Sequence, residues 1–194
     1  MNKTAGWESA QAYDGTYRKL PPGGYVCVIK DARVEAGQYG EQMIVALDVC
    51  EGEYAGFFGD LYEAKRKAPG AALKWPCVYY QSLLNRDGVT NGFFKGLITS
   101  VERSNVGYVW SWDERTLKGK KVGFVFGEED WMDSNGNVRT STKPKTARDV
   151  KAILDGDFAV PPKKLAGQQS SGYIQVESPA SNGGFEQVDD ELPF

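Results

Sequence analysis

The sequence predicts a mainly β domain that carries a helical insertion and is followed by an acidic tail. Three observations lead to this prediction. Five segments rich in β-branched and aromatic residues are separated by turn signals, and two helical segments lie between the third and the fourth. The last 27 residues contain five acids and neither Lys nor Arg. A segment of such uneven charge and composition predicts a separate, disordered tail.

The five strands are predicted from alternation and from turn residues. The first follows the breaker cluster Pro21–Gly24 and covers Tyr25–Val34, and a hairpin turn is expected at 37–41. The second strand alternates apolar and other residues from Met43 to Val49, and the third is expected around Phe57–Tyr62. The fourth places Val122, Phe124 and Phe126 on one face, and the fifth, within residues 135–144, opens with an Asn-Gly turn.

Two helices are expected between the third and fourth strands, at 71–84 and 93–103. A shorter one at 146–154 ends before Gly156. Five strands with a helical segment between the third and fourth is the order of an OB-fold, a partly open five-stranded Greek-key barrel. An SH3-like barrel or a β-sandwich fits the strands nearly as well.

Composition narrows the class of function. The sequence contains no histidine, which removes the commonest general base and metal ligand, and it shows no phosphate-binding glycine motif. The carboxylates Glu128–Asp130 are interpreted as a solvated turn rather than a Mg²⁺ site. Cys27, Cys50 and Cys77 are far apart and are expected to be reduced. We therefore expect a protein that is not an enzyme and has no cofactor or metal.

No apolar run approaches the ~20 residues of a membrane span, and the first residues lack the apolar core of a signal peptide. A cytoplasmic protein without membrane contact is expected. The predicted organisation is an N-terminal extension (1–19), a domain (20–162), a flexible linker (163–188) and an acidic tip (189–194). Removing the five acidic charges of residues 168–194 from the net charge of −3 leaves +2 for residues 1–167.

The tip reads "DDELPF" and resembles the acidic tip of bacterial single-stranded DNA-binding protein (SSB), a family that ends in Asp residues, an apolar residue, Pro and Phe. Glu191 is one acid more than this pattern has. The resemblance implies that a partner protein binds the Phe194 ring and its carboxylate, and that basic residues receive the acids. The partner-binding residues are then Asp189, Asp190, Glu191, Leu192, Pro193 and Phe194.

The domain resembles phage-encoded single-stranded DNA-binding proteins. The similarity lies in "LPPGGYVCVI", "FFKGLITSVERSN", "LKGKKVGFVFGEEDW" and "ILDGDFAVPP", in this order over roughly residues 20–162. It implies a function in DNA replication, recombination or repair in a bacterial host cell. Host or phage proteins of these processes would bind the tip. The oligomeric state stays open, and a homo-oligomer is compatible with the sequence.

Sequence-independent binding of single-stranded DNA needs cations for the phosphates and aromatic rings for the bases. Both occur together in residues 62–80, and further cations follow in 118–121 and 139–148. Trp75 and Tyr62 are the preferred stacking residues, whereas one of Trp110 and Trp112 is expected to face inward. The candidate DNA-binding residues are Tyr62, Lys65, Arg66, Lys67, Lys74, Trp75, Tyr79, Lys120, Lys121, Arg139, Lys143 and Lys145.

Two alternatives from other classes stay open at this point. Trp and Tyr side chains also stack on sugars, so a carbohydrate-binding module is one alternative. The other is a metal-dependent nuclease that works through carboxylates.

Overall fold

A computed structural model describes residues 19–37, 40–67 and 73–166 and shows a mainly β domain. Five strands form one antiparallel sheet in the order β3-β2-β1-β4-β5. The strands are β1 (Gly23–Gly37), β2 (Gly40–Val49), β3 (Val78–Ser82), β4 (Lys121–Met132) and β5 (Val138–Arg148). The helices are α1 (Phe57–Arg66), α2 (Gly92–Ser104) and α3 (Val150–Asp155), with a 3₁₀ helix at Glu114–Leu117.

The strands β1, β2, β4 and β5 are confirmed, and β2 and β4 bury the alternate residues that the sequence predicts. Every second residue of β2 from Met43 to Val49 is buried in the main core, as are Val122, Phe124 and Phe126 of β4. In β1 the register shifts between Ile29 and Asp31, so a bulge moves the inward position from Ile29 to Ala32. Gly136 has the positive φ of 79° that the predicted Asn-Gly turn between β4 and β5 requires.

The predicted helices at 93–103 and 146–154 correspond to α2 and α3. Both begin at a side-chain cap: Asn91 accepts a hydrogen bond from the Phe93 N–H, and Asp149 accepts one from the Ala152 N–H. The helix α3 starts only at Val150, because residues 146–148 still belong to β5. It ends at Gly156 with φ 73°, as predicted.

The sequence prediction is wrong for residues 57–62, which are helical instead of a strand, and for residues 73–84, which contain a strand instead of a helix. Residues 57–66 form α1, because the buried carboxylate of Asp48 on β2 accepts hydrogen bonds from the Phe58 and Gly59 N–H groups at the start of the helix. Within the range predicted as helical, the structure describes residues 73–84. Val78–Ser82 form the edge strand β3, which pairs with Gln42–Ala46 of β2.

The sheet is not a closed barrel in the part of the chain that the structure describes. Its edge strands β3 and β5 approach each other, but no strand pairing joins them among the described residues. The core fills the inner face of the sheet, and α2 packs against it with Phe94, Leu97, Ile98 and Val101 buried.

Part of the outer face of the sheet is covered by the segment that follows β5. Val26 of β1 and Val125 of β4 pack there against Ile153 of α3, with Phe158 beside them. The remaining part of the outer face, formed by residues 31–35 of β1 with β2 and β3, lies outside this second cluster. The position of α3 therefore restricts where the outer face can contact a ligand.

No helix in the described segments is long and apolar enough to cross a membrane. The N-terminal extension up to residue 18, the linker from residue 167 and the acidic tip lie outside the described residues.

Candidate nucleic-acid interface

Trp75 lies at the centre of an aromatic and cationic cluster beside β2. Its Nε1 donates a hydrogen bond to the Leu47 carbonyl oxygen at 2.7 Å, which fixes the ring on the strand. The Tyr62 ring of α1 lies 5.2 Å away, centroid to centroid, at 36°. The Lys30 ammonium stands 5.8 Å from the centre of the Trp75 ring. The structure thus brings together the two preferred stacking residues, both half-buried, and adds Lys30.

The last turn of α1 presents the predicted cations beside this cluster. Phe57 and Phe58 are buried at the start of the helix, and Lys65, Arg66 and Lys67 are exposed at its end. Arg66 pairs with Glu63 at 2.9 Å. Lys65, Lys67 and Lys74 form no ion pair with any residue that the structure describes. These three lysines can therefore bind an anionic ligand without first breaking an ion pair.

Tyr80 extends the aromatic surface along the outer face of β3. Tyr80, Ile44 and Arg33 lie opposite one another across β3, β2 and β1, so their side chains share the outer face. Tyr80 is 60% exposed, and the Arg33 guanidinium is held by Glu35 at 2.5 Å. Lys30, Arg33 and Tyr80 were not among the predicted site residues. Had residues 78–82 been assigned as a strand, Tyr80 would have been expected on the face opposite Tyr79.

Tyr79, by contrast, is part of the core. Its ring packs at 66° against Phe124, with centroids 5.0 Å apart, and its hydroxyl donates to Gln81 Oε1 at 2.7 Å. Burial raises its pKa to about 12. The ring is 8% exposed, so it does not offer a face to a base in this structure.

The predicted cations of β5 are paired with acids of the neighbouring strand and turn. Lys143 and Lys145 both bind the carboxylate of Glu129 on β4, and Arg139 binds Asp133 at 3.0 Å. Burial works against ionisation of Glu129, but the hydrogen bonds from the two lysines outweigh it and hold its pKa below the ordinary value. The charges of this group are largely matched within the protein.

The interpretation of Glu128–Asp130 as a solvated turn is wrong. All three residues lie in β4, where Asp130 pairs with Lys163 at 2.8 Å and accepts a hydrogen bond from Thr140. Within the described segments, no cluster of His, Cys, Asp and Glu could hold a metal ion.

Lys121 is the first residue of β4 and Lys120 precedes it, and the two lysines differ in their partners. The Lys121 ammonium donates to Glu51 at 2.7 Å. The Lys120 ammonium stands 4.5 Å from the centre of the Tyr108 ring. Of the two, only Lys120 is free of an acidic partner among the described residues, and it lies against Tyr108 of a second aromatic segment, residues 108–112.

The cysteines contribute no reactive group to this surface. All three are free thiols, with Cys27 and Cys77 buried and Cys50 half-buried. Burial raises the pKa of each thiol. This agrees with the expectation of reduced cysteines. The predicted partner-binding residues 189–194 lie outside the described residues, so the structure gives no geometry for them.

Comparison with known proteins adds no assignment. No protein-family model matches the sequence, and no curated protein matches it significantly.

Proposed function

We propose that this protein binds single-stranded DNA without sequence preference through the surface around Trp75. The observation that carries the proposal is the combination of rings and cations there. Trp75 and Tyr62 lie in contact, with Lys30 beside them and Lys65, Lys67 and Lys74 nearby in the chain without an acidic partner in the described segments. Stacking rings within a positively charged groove are what a sequence-tolerant binder of single strands requires.

The strand order supports an OB-fold as the scaffold of this function. The order β3-β2-β1-β4 is that of a Greek key, in which the fourth strand returns to lie beside the first. In OB-folds the face of strands 2 and 3 and the loops 1–2 and 4–5 bind oligonucleotides. Tyr80 lies on this face, and Trp131 and Arg139 form an exposed cross-strand pair next to the 4–5 loop.

The process in which the protein acts follows from the sequence resemblance. The motifs in residues 20–162 favour a phage-type single-stranded DNA-binding protein of replication, recombination or repair. The acids and the Leu-Pro-Phe of residues 189–194 favour recruitment of other proteins of these processes to the coated strand.

A titration of the full chain with oligo(dT) tests the binding function. Quenching of tryptophan fluorescence with an affinity that falls as salt rises is the expected result. Duplex DNA of equal length should compete poorly. No binding at low salt, or a preference for the duplex, contradicts the proposal. Cleavage of the oligonucleotide that depends on added Mg²⁺ would instead favour the nuclease alternative.

Recruitment is tested separately by deleting residues 189–194. The shortened protein should keep its affinity for oligo(dT) or gain slightly at low salt, because the removed acids no longer compete for the basic surface. It should lose the proteins that the full chain captures from a bacterial lysate. Phe194→Ala, which keeps all the acids, is the matched control for charge and should also lose them. Capture of the same proteins by all three forms contradicts the recruiting function.

A further inference from the structure

The segment 105–120, between α2 and β4, holds three aromatic side chains at alternate positions: Tyr108, Trp110 and Trp112. The two ends of this segment are joined by the Asn105 side chain, which donates to the Lys121 carbonyl at 2.8 Å and accepts from the Lys121 backbone N–H at 3.0 Å. The backbone N–H of Trp110 donates to the Glu102 carboxylate of α2 at 2.9 Å. The aromatic residues thus stand on a segment that is tied to both neighbouring elements.

Trp112 is presented to solvent in an unfavourable backbone conformation. Its φ is 65°, and in the described part of the chain every other residue with positive φ is a glycine. Residues with a bulky side chain rarely adopt this conformation. The side chain is nevertheless 76% exposed. Burial of the ring therefore does not account for the backbone, and such conformations concentrate at ligand-binding sites.

Trp110 faces inward, as expected for one member of the pair, and carries an unpaired donor. Its ring packs edge-on against Phe94 at 5.7 Å, and the Trp112 ring lies 4.6 Å from it at 37°. The Trp110 Nε1 is buried and has no hydrogen-bond acceptor among the residues that the structure describes. An unpaired buried donor is costly, and an acceptor on a ligand would remove this cost.

From these observations we infer that Trp110 and Trp112 form a nucleobase-binding site. A base lies beside the edge of the Trp110 ring and stacks on Trp112, which moves outward to admit it, and a carbonyl oxygen of the base accepts the hydrogen of Trp110 Nε1. The adjacent phosphates meet Lys118, which is exposed, and Lys120 on the Tyr108 ring. A nucleotide can stack on the ring, accept the hydrogen bond and pair its phosphate with the lysines, whereas a neutral sugar has no charge for the lysines to bind.

The site deepens the proposed function and rests on it, because Lys120, which stands on the Tyr108 ring of this segment, is linked through the sheet to the Trp75 surface. Trp75 is bonded to the Leu47 carbonyl, Leu47 pairs with Ile29, and the Ile29 N–H donates to the Lys120 carbonyl at 2.9 Å. Leu47 and Lys120 are thus two strand spacings apart, about 10 Å. We therefore expect one DNA strand to pass both Lys120 and the Trp75 surface.

Trp112→Asn tests the inference, because Asn tolerates positive φ and so removes the ring while keeping the backbone. We expect oligo(dT) affinity to fall about 5- to 150-fold, the range for loss of one stacked base, with the salt dependence unchanged. Trp112→Phe should keep most of the affinity. Trp110→Phe, which keeps a ring but removes the donor, should weaken binding about 5-fold. Val109→Asn, at an equally exposed position of the same segment, is the control and should bind as the parent does.

The outcomes separate this inference from the proposed function. If the parent protein binds oligo(dT) and Trp112→Asn binds equally well, the site is refuted and the proposed function stands. If the parent does not bind, both fail. Quenching by a neutral oligosaccharide that depends on Trp112, without quenching by DNA, refutes the site in favour of sugar binding.

A second measurement covers the case in which Trp112→Asn does not fold, as judged by circular dichroism. The parent protein is photo-crosslinked to oligo(dT) that carries 5-iodouracil, and the modified peptides are identified by mass spectrometry. Modification of the peptide with residues 110–112 is expected. Crosslinks confined to other peptides refute the inference.

Discussion

Replacing Lys65, Lys67 and Lys74 together by Ala should make DNA binding less sensitive to salt. The three side chains are exposed and form no ion pair within the described residues, so each is available to one phosphate. Arg66 is left in place, because removing it would also release Glu63 from their ion pair and add an unpaired acid to the surface.

The size of the effect follows from counterion release. A single strand contributes a slope of about −0.7 in log K against log salt for each neutralised phosphate, so three lysines account for a change of about 2 in the slope. Between roughly 50 and 200 mM salt, the parent protein should lose about 20-fold more affinity than the triple variant. Affinities measured by fluorescence anisotropy at four or five salt concentrations resolve a difference of this size.

The matched control replaces Lys143 and Lys145, the two lysines that share Glu129. Because Glu129 already neutralises one of these two charges, we expect the salt slope to change by less than about 1. Stability should fall instead, since Glu129 is 19% exposed and would lose both hydrogen-bonding partners. A loss of about 1–3 kcal/mol in the free energy of unfolding is expected. Equal slopes for the parent and the Lys65, Lys67 and Lys74 variant, or a larger change in the control, would refute the assignment of the phosphate contacts.

Three further predictions concern the side chains of Trp75, Asp48 and Tyr79. Trp75→Ala should weaken oligo(dT) binding about 5- to 150-fold without changing the salt slope, and an unfolded Trp75→Ala protein would show that this ring serves the core instead. Asp48→Ala should lower the free energy of unfolding in urea by about 1–2 kcal/mol, because α1 loses its N-terminal acceptor, whereas Asp48→Asn should lose less; equal losses would contradict the capping role. Tyr79 has a pKa raised by burial from 10.0 to about 12. Its contribution to stability is therefore complete below pH 10 and lost as the pH rises from 10 to 12. The free energy of unfolding should fall less over this interval in Tyr79→Phe, and an equal fall would contradict the assignment.

Four of the five strands could be predicted because the signals that define them are local. Alternation in β2 and β4 and the Asn-Gly turn before β5 depend on neighbours in the sequence only. The prediction failed for residues 57–62 and 73–84 because their structure depends on partners distant in sequence. Two adjacent phenylalanines resemble a strand, but α1 forms where Asp48 of β2 supplies its first acceptor.

The edge strand β3 was missed for a related reason. Gln81 is buried although polar, and its side chain is paired with the Tyr79 hydroxyl rather than with solvent. A buried glutamine interrupts the hydrophobic alternation by which a strand is recognised. Only the pairing of Met43 with Gln81 across β2 and β3 shows that this position faces the core.

The sequence indicates the kinds of residue in the proposed site, but not which cations are paired with acids or which distant residues join it. Tyr62, Trp75 and the lysines of 65–74 stand out as rings and cations in one stretch of sequence. That Lys143 and Lys145 are matched by Glu129 could not be predicted, because the pairing depends on the register of β4 against β5. Lys30 is an isolated cation in the sequence and reaches Trp75 across β2.

The position of the interface follows from how the chain covers its own sheet. Gly24 and Gly123 lie on the outer face, where a Cβ at either position would collide with Phe158 or Ile153. A Cβ at Gly127 would lie 2.8 Å from Pro161. The absence of three side chains thus lets α3 and the segment after it lie directly on β1 and β4. A ligand cannot reach the outer face there without displacing them. Two cations and one ring, Lys30, Arg33 and Tyr80, lie beyond this cover, toward β2 and β3, which is the side on which we propose that DNA binds.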